Sequence, residues 1–224
     1  MSVNYHAFQS RGFLFTNSEV VCAQWRAAFS HYDPRRIAAI LHLDWDDLYL
    51  YLSYFQTSYR LRLEDGVLEK KEEQSASETE AWDEELYFNE AMSIYHLLHY
   101  TKDYPQLSGI LVPGTELDGA ASRSHFAADP LLSPFSKKYA GQTEKLAAAC
   151  RREGGIPLPH AKSDAAFQFT AFPQIQLQLH FWDADEDFPA QTQILVDRKI
   201  TDYIHFETVG CLISDLLEKL EQSV

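Results

Sequence analysis

The chain has 224 residues and a formal net charge of −14, from 33 Asp and Glu against 19 Lys and Arg. A protein that binds nucleic acid needs lysines and arginines to neutralise phosphates, so this balance argues against nucleic acid and anionic membranes as partners. Hydrophobic residues make up 46% of the sequence, which suits one globular core without disulfides or metal.

The three cysteines, Cys22, Cys150 and Cys211, lie far apart and form no metal-binding or cluster-binding spacing. A sparse, odd number of cysteines is typical of free thiols in a reducing compartment. The first residues lack the pattern of a signal peptide, and no apolar run is long enough to span a membrane. We therefore expect a cytoplasmic protein without a membrane partner.

The chain is predicted to begin with two helices. Apolar side chains repeat every four positions over 19–30, after an N-cap at Ser18. Asp33 followed by Pro34 then predicts a short helix that ends at Ile40, because proline is well tolerated at the first helical position.

Residues 48–68 are predicted to form a meander of about three strands. Apolar and polar residues alternate over 48–55 and again over 59–63, and Asp65-Gly66 is a hairpin turn signal before a return strand.

An acidic loop, a long helix and an irregular loop follow. Residues at about 69–79 are acidic and polar, with a capping box predicted from Ser77 to Glu80. A helix is predicted from about Glu80 to Tyr100. Residues 105–133 contain prolines and glycines and show no periodicity, which is typical of a functional or poorly ordered loop.

The second half of the chain is predicted to contain short helices, strands and a final helix. Strict alternation over 174–182 gives the clearest strand signal. The predicted helices are 133–141, 143–153 and a final amphipathic helix around 209–220, and the other predicted strands are 167–169 and 193–196.

Two groups of strands are separated by helices and do not alternate as βαβ units. This order favours an α+β fold in which helices pack on one face of an antiparallel sheet. The acidic segment around Glu72 to Glu80 is the only candidate linker, and we interpret it as a loop within one domain, so residues 1–224 are predicted to form a single domain.

An ordered set of motifs resembles one known family. The motifs are His99-Tyr100, Leu107-Ser108-Gly109, Asp164-Ala165-Ala166-Phe167, Phe172-Pro173, the block from Trp182 to Ala190, and Ile194-Leu195-Val196-Asp197. Together they resemble domain-of-unknown-function family 3786, found mostly in anaerobic bacteria and archaea. The family has no assigned reaction. Some of its members carry an iron–sulfur domain like that of corrinoid iron–sulfur proteins, so the resemblance implies a link to anaerobic one-carbon or corrinoid metabolism. This chain lacks that cysteine-bearing domain.

The acidic turn after the clearest strand holds four carboxylates, at Asp183, Asp185, Glu186 and Asp187. Oxygen ligands at this spacing suit calcium or magnesium, although the EF-hand pattern is absent. A solvated turn is one alternative, and a carboxylate that caps local backbone N–H groups is another.

Two histidines, His96 and His99, lie three positions apart on the predicted long helix, so both could touch one ligand. A metal site needs three or more ligands, and the sequence shows only this pair, so no metal site is predicted. A structural role for His99, with its hydrogen bond satisfied, is the alternative to ligand binding.

The outward side chains of the 174–182 strand are candidates for a ligand groove, with the 105–133 loop as a lid. These side chains can donate and accept hydrogen bonds, and a solvated sheet face is the alternative. The predicted ligand-binding residues are His99, Gln176, Gln178, His180, Trp182, Asp183, Glu186 and Asp197.

The absence of sequence motifs for nucleophiles and phosphate-binding loops favours a cytoplasmic binding or accessory protein, and the family resemblance implies a role in anaerobic metabolism. Its partner would be a small molecule or a protein, and no cofactor can be named. One alternative is an enzyme with an acid–base or metal site drawn from His99, Asp183, Glu186 and Asp197. Another is a protein–protein interaction subunit, held through the amphipathic final helix.

Overall fold

The computed structural model describes residues 18–29, 33–72, 81–84, 86–117 and 131–223. Within these ranges the helices are α1 (Ser18–Phe29), α2 (Pro34–Leu41), α3 (Phe88–Tyr100), α4 (Leu132–Tyr139), α5 (Thr143–Arg152) and α6 (Thr208–Gln222). The strands are β1 (Tyr49–Tyr54), β2 (Thr57–Arg62), β3 (Leu68–Lys71), β4 (Trp82–Asp83), β5 (Leu111–Pro113), β6 (Ile156–Pro157), β7 (Ala165–Phe172), β8 (Ile175–Trp182) and β9 (Gln191–Asp197). No helix in the described ranges is long and apolar enough to cross a membrane.

The strands form two antiparallel sheets, which confirms the predicted α+β class and divides the strands between two sheets. The first sheet has the order β1-β2-β3-β4, and the second has the order β5-β9-β8-β7-β6. Neighbours in sequence mostly pair with each other, because short turns favour local antiparallel pairing. The strands at the two edges of the second sheet, β5 and β6, are short.

A tight turn joins β1 to β2 in the first sheet. Phe55 and Gln56 both have positive φ, 44° and 66°, which matches the twist that a two-residue hairpin requires. The sequence prediction extended β1 through Phe55, since a large aromatic residue rarely marks such a turn. The backbone N–H of Phe55 donates to the carbonyl of Ala171 at 2.9 Å and so joins this turn to the second sheet.

The core of the molecule lies between the sheets and the helices. Buried side chains from both sheets and all six helices form one cluster, the arrangement expected of the single predicted domain. Helices α3 and α6 pack against each other. The apolar stripe of α6 lies in this core, where Val209, Leu212 and Leu216 have no solvent exposure.

Three polar side chains form a buried network inside this core. The hydroxyl of Tyr54 donates to Oδ2 of Asp215 at 2.6 Å, and Nδ2 of Asn89 donates to Oδ1 of the same carboxyl at 2.8 Å. Ser93 lies next to this network, 3.5 Å from the Tyr54 hydroxyl. Asn89 and Ser93 of α3 are both buried, and their partners come from elements that are distant in sequence.

The region between β3 and α3 differs from the prediction. Strand β3 continues through Lys71, so residues 69–71 are not part of an acidic loop, and Trp82–Asp83 pairs with β3 as β4. Helix α3 begins at Phe88 rather than near residue 80. At this N-terminus the Glu90 side chain accepts a hydrogen bond from the backbone N–H of Tyr87 at 3.2 Å. The capping box predicted at 77–80 lies outside the described residues.

Short regular elements occur within the segment predicted as an irregular loop, 105–133. Residues Leu111–Pro113 pair with β9 as β5, and a 3₁₀ turn follows over Gly114–Glu116. Positions 118–130 lie outside the described residues. Helix α4 begins at Leu132, one residue earlier than the cap predicted at Ser133.

Candidate functional site

The outer face of the second sheet is the face that carries Gln176, Gln178, His180 and Trp182 of β8. These four side chains are half-buried, whereas the alternating apolar residues of the strand point into the core. The predicted inward and outward faces of this strand are therefore confirmed. The sequence pattern fixes them because successive side chains of a strand point to opposite sides.

Hydrogen bonds connect the polar side chains of the outer face. His180 Nδ1 lies 3.3 Å from the Ser163 hydroxyl, and His180 Nε2 lies 3.4 Å from Oε1 of Gln178. Gln178 in turn donates its Nε2–H to Gln168 at 3.2 Å, which leaves the Gln178 oxygen to accept a hydrogen bond from the His180 ring. The neutral ring therefore carries its proton on Nε2 and accepts from Ser163 at Nδ1. Burial lowers the pKa of His180 and favours this neutral form.

Trp182 ends the strand, and its ring stacks on His180 at an interplanar angle of 22° with 6.0 Å between the ring centroids. Next to it, Asp183 starts the acidic turn. The backbone N–H of Asp183 donates to Oδ2 of Asp164 at 2.8 Å, so the end of β8 is tied to the residue that precedes β7.

The carboxylate of Asp183 caps backbone and hydroxyl groups at the turn between α4 and α5. It accepts the N–H of Gly141 and the hydroxyl of Thr143, both at 2.7 Å, and the N–H of Ala184 at 2.8 Å. These hydrogen bonds hold the pKa of Asp183 below its usual value. The sequence left open a cation site, a solvated turn or a carboxylate that caps backbone N–H groups, and Asp183 has the capping role.

The rest of the acidic turn is exposed. Asp185 accepts the backbone N–H groups of Asp187 and Phe188 at 2.8 and 2.7 Å, and Glu186 points to solvent. Among the residues that the structure describes, no group of three or more His, Cys, Asp or Glu side chains could hold a metal ion.

Asp197 holds a loop in place at the opposite end of the β8–β9 pair. Its carboxylate accepts the N–H groups of Ser108, Gly109 and Lys199, at 2.9, 2.7 and 2.7 Å, and the hydroxyl of Ser108 at 2.9 Å. Although burial opposes ionisation, these donors hold the pKa of Asp197 below its usual value. The carboxylate therefore fixes the loop that leads into β5.

His99 lies at the end of α3, in a cluster of aromatic rings. Its ring meets Trp25 edge to face with 4.7 Å between the ring centroids, and it also contacts Tyr100. His96 contacts the same indole and lies 2.5 Å from the hydroxyl of Thr208. Burial lowers the pKa of both histidines, to about 4 for His96. The two rings thus pack on Trp25.

A cavity of about 940 Å³ opens where β9 extends beyond β5. Strand β5 pairs with residues 195–197 of β9, and the preceding stretch of β9 lines the cavity. Helix α4 forms another wall, and its Ser136 hydroxyl donates to the Thr192 hydroxyl at 2.8 Å. The lining residues are Pro113, Gly114, Thr115, Leu132, Ser133, Ser136, Asp164, Trp182, Asp183, Asp185, Phe188, Pro189, Ala190, Gln191, Thr192, Gln193, Ile194 and Ile213.

Comparison with known protein families shows to which family the chain belongs. The family model described as domain of unknown function DUF3786 matches residues 33–218. The chain belongs to this family. This match confirms the resemblance seen in the sequence motifs, and it covers most of the chain. No curated protein matched the chain, and no solved structure matched it.

This DUF3786 member brings two of the predicted ligand-binding residues, Trp182 and Asp183, to the cavity. Asp197 lies at the far end of the strand pair, since it follows Val196, the partner of Leu177. Trp182 lies five positions along β8 from Leu177, and this spacing corresponds to roughly 17 Å along a strand. His99 belongs to the aromatic cluster around Trp25.

Sequence reasoning missed the residues that other segments bring to the same cavity. Asp164 precedes β7, Ser133 and Ser136 belong to α4, and Thr192 lies on β9. Only Asp164 carried a signal, because it lies in one of the motifs that support the family resemblance. The others converge through tertiary packing, which local patterns do not encode.

Proposed function

We propose that the chain is a binding protein for a small polar molecule, and that the cavity beside Trp182 is its site. The cavity volume of about 940 Å³ carries this proposal, because ligand sites are typically clefts of roughly 300–1,000 Å³. Trp182 and Asp183, which the sequence selected as ligand-binding residues, both line it. Pro113–Thr115, from the segment proposed as a lid, also lines it.

The chemistry of the lining supports a ligand with an apolar body and a few hydrogen-bonding groups. Leu132, Ile194 and Ile213 supply apolar surface. The hydroxyl of Ser133 and the side-chain amides of Gln191 and Gln193 supply donors and acceptors. A mostly apolar cleft with a small number of polar groups is the usual form of a small-molecule site.

A binding function is better supported than a catalytic function that would use the predicted acid–base residues. A catalytic pair must meet within hydrogen-bond reach. The described contacts of Asp183, Glu186 and Asp197 include no hydrogen bond or ion pair between any two of these residues, and His99 belongs to the cluster around Trp25.

The interaction-subunit alternative relied on the final helix. Its apolar stripe forms part of the core, where Leu212, Leu216 and Leu220 have no solvent exposure, so the stripe is not available to a partner. A small-molecule ligand is therefore the more specific proposal.

Two finer parts of the proposal concern location and metabolism. The three cysteines form no disulfide, and Cys22 and Cys150 are buried, which supports a cytoplasmic location. The family resemblance supports a role in anaerobic metabolism.

A ligand panel with a matched pair of variants tests the proposed function. Purified protein is screened by thermal shift against corrinoids, tetrapyrroles, nucleotides, amines and carboxylates, and any ligand found is then titrated calorimetrically. Ser133→Phe fills the cavity mouth, whereas Ser58→Phe makes the same change at an exposed site on β2.

We expect a bound ligand to lose at least about tenfold in affinity with Ser133→Phe, because the ring occupies its space. Ser58→Phe is expected to bind as the unchanged protein does. A panel without any ligand, or equal affinities for the two variants, would contradict the proposed function.

A further inference from the structure

We infer that the cavity beside Trp182 selects an organic ammonium ion with an apolar body and rejects organic anions. This inference rests on the proposed function and adds the chemical class of the ligand. Three carboxylates line the cavity, those of Asp164, Asp183 and Asp185, and the described lining residues include no lysine, arginine or histidine. The described lining would therefore repel an anion and attract a cation.

The carboxylates differ in how far the protein already uses them. Both oxygens of Asp183 accept hydrogen bonds, from Gly141 and Thr143. Asp164 accepts at Oδ2, and Asp185 accepts at Oδ1. Within the described part of the chain, Oδ1 of Asp164 and Oδ2 of Asp185 accept no hydrogen bond from another residue. These two oxygens are the acceptors available to a ligand, and an ammonium group offers three N–H donors.

Trp182 adds a second preference for a cation. Its indole lines the cavity and is half-buried, so a cation can reach it in a partly water-excluded site. Tryptophan is the best aromatic partner for a cation, because the face of its ring carries negative electrostatic potential. Aliphatic and aromatic walls at Leu132, Ile194 and Phe188 fit the apolar body of such a ligand.

The acidity of the whole chain acts in the same direction. The formal net charge of −14 lowers the local concentration of anions and raises that of cations around the protein. At the cavity this general field is reinforced by the carboxylates of the lining, so selection between charges is expected to exceed the effect of net charge alone.

Three probes that share a phenylethyl body and differ in the end group test the inference by calorimetry. Phenethylamine carries a positive charge at neutral pH, 2-phenylethanol is neutral, and 3-phenylpropionate is negative. We expect phenethylamine to bind at least about tenfold more tightly than 3-phenylpropionate, with the alcohol between them. Raised salt is expected to narrow this difference.

Two variants separate local from general electrostatics. Asp185→Asn removes a carboxylate that lines the cavity and keeps Oδ1 as the acceptor for the turn. Asp187→Asn removes one charge two residues away, outside the lining. Only Asp185→Asn is expected to reduce the preference for phenethylamine over 2-phenylethanol, by about threefold or more.

The inference is overturned if phenethylamine does not bind at millimolar concentration. It is also overturned if the alcohol or the carboxylate binds as tightly, or if the two variants behave alike. Under any of these outcomes the proposed function still stands when the ligand panel yields a molecule whose affinity falls with Ser133→Phe. The two failures are therefore distinguishable.

Discussion

At the scale of single residues, the most unusual group is the buried carboxyl of Asp215. Burial raises the pKa of Asp215 to about 7, although the hydrogen bonds from Tyr54 and Asn89 favour the ionised form. Glu90 and Glu218 raise it further by repulsion. One acceptor in this network, Oδ1 of Asn89, is buried and has no hydrogen-bond partner among the described groups. A protonated Asp215 is therefore the form that the core accommodates best.

The raised pKa of Asp215 makes stability depend on pH in a definite direction. An unfolded aspartate has a pKa near about 3.9, so between about pH 4 and pH 7 the folded protein binds the extra proton. The contribution of Asp215 to the free energy of unfolding is greatest below this range, falls as pH rises through it, and is constant above it. The total fall is roughly 4 kcal/mol.

The substitution Asp215→Asn removes this titration. We expect the free energy of unfolding of the variant to increase, relative to that of the unchanged protein, from pH 4.5 to pH 8. Urea denaturation at several pH values measures it, with Asp187→Asn, at an exposed position, as the control for charge. A difference between Asp215→Asn and the unchanged protein that does not vary with pH would contradict the assigned ionisation.

At the scale of elements, the turn after α5 shows how closely helix and sheet approach. The N–H of Gly155 donates to the Cys150 carbonyl at 2.7 Å, and an added Cβ would lie 2.7 Å from that oxygen and 2.8 Å from the ring of Phe169 on β7. Backbone and a buried ring cannot move away cheaply. The turn therefore accepts only glycine at this position.

The substitution Gly155→Ala is expected to lower the free energy of unfolding by about 2–4 kcal/mol, because of this overlap. Gly109→Ala is a suitable control, since Gly109 has a positive φ of 71° but open space around its Cβ position. The control is expected to cost only about 1 kcal/mol, from backbone strain. Urea denaturation compares the two variants, and equal losses of stability would argue against the close packing of α5 on β7.

The elements with strong periodicity were predictable, and the short ones were not. Strand β8 and helix α6 have four or more apolar residues at regular spacing, which identifies both the element and its buried face. Strands β5 and β6 have three and two residues, too few for any period. The start of α3 was predicted too early because acidic residues favour a helix N-terminus, whereas β4 is fixed by pairing with β3.

At the scale of the whole molecule, the sequence indicated which residues face inward but not how distant segments meet. The buried partners of Asn89 and Ser93 come from α6 and β1, so no local sequence pattern identifies these two polar residues as buried. The cavity likewise draws on loops and elements from residue 113 to residue 213. Trp182 and Asp183, which line the cavity, were selected from the sequence because polar and aromatic residues at the end of a regular strand stand out locally.

The central claim is that the cavity beside Trp182 binds a small organic ammonium ion. The chain has four tryptophans, Trp25, Trp45, Trp82 and Trp182, so each indole N–H gives a separate nuclear magnetic resonance signal that a Trp→Phe variant can assign. A titration with phenethylamine is predicted to shift the Trp182 signal and leave the other three in place. A titration that shifts the Trp25 signal instead, or shifts no indole signal, would contradict the account.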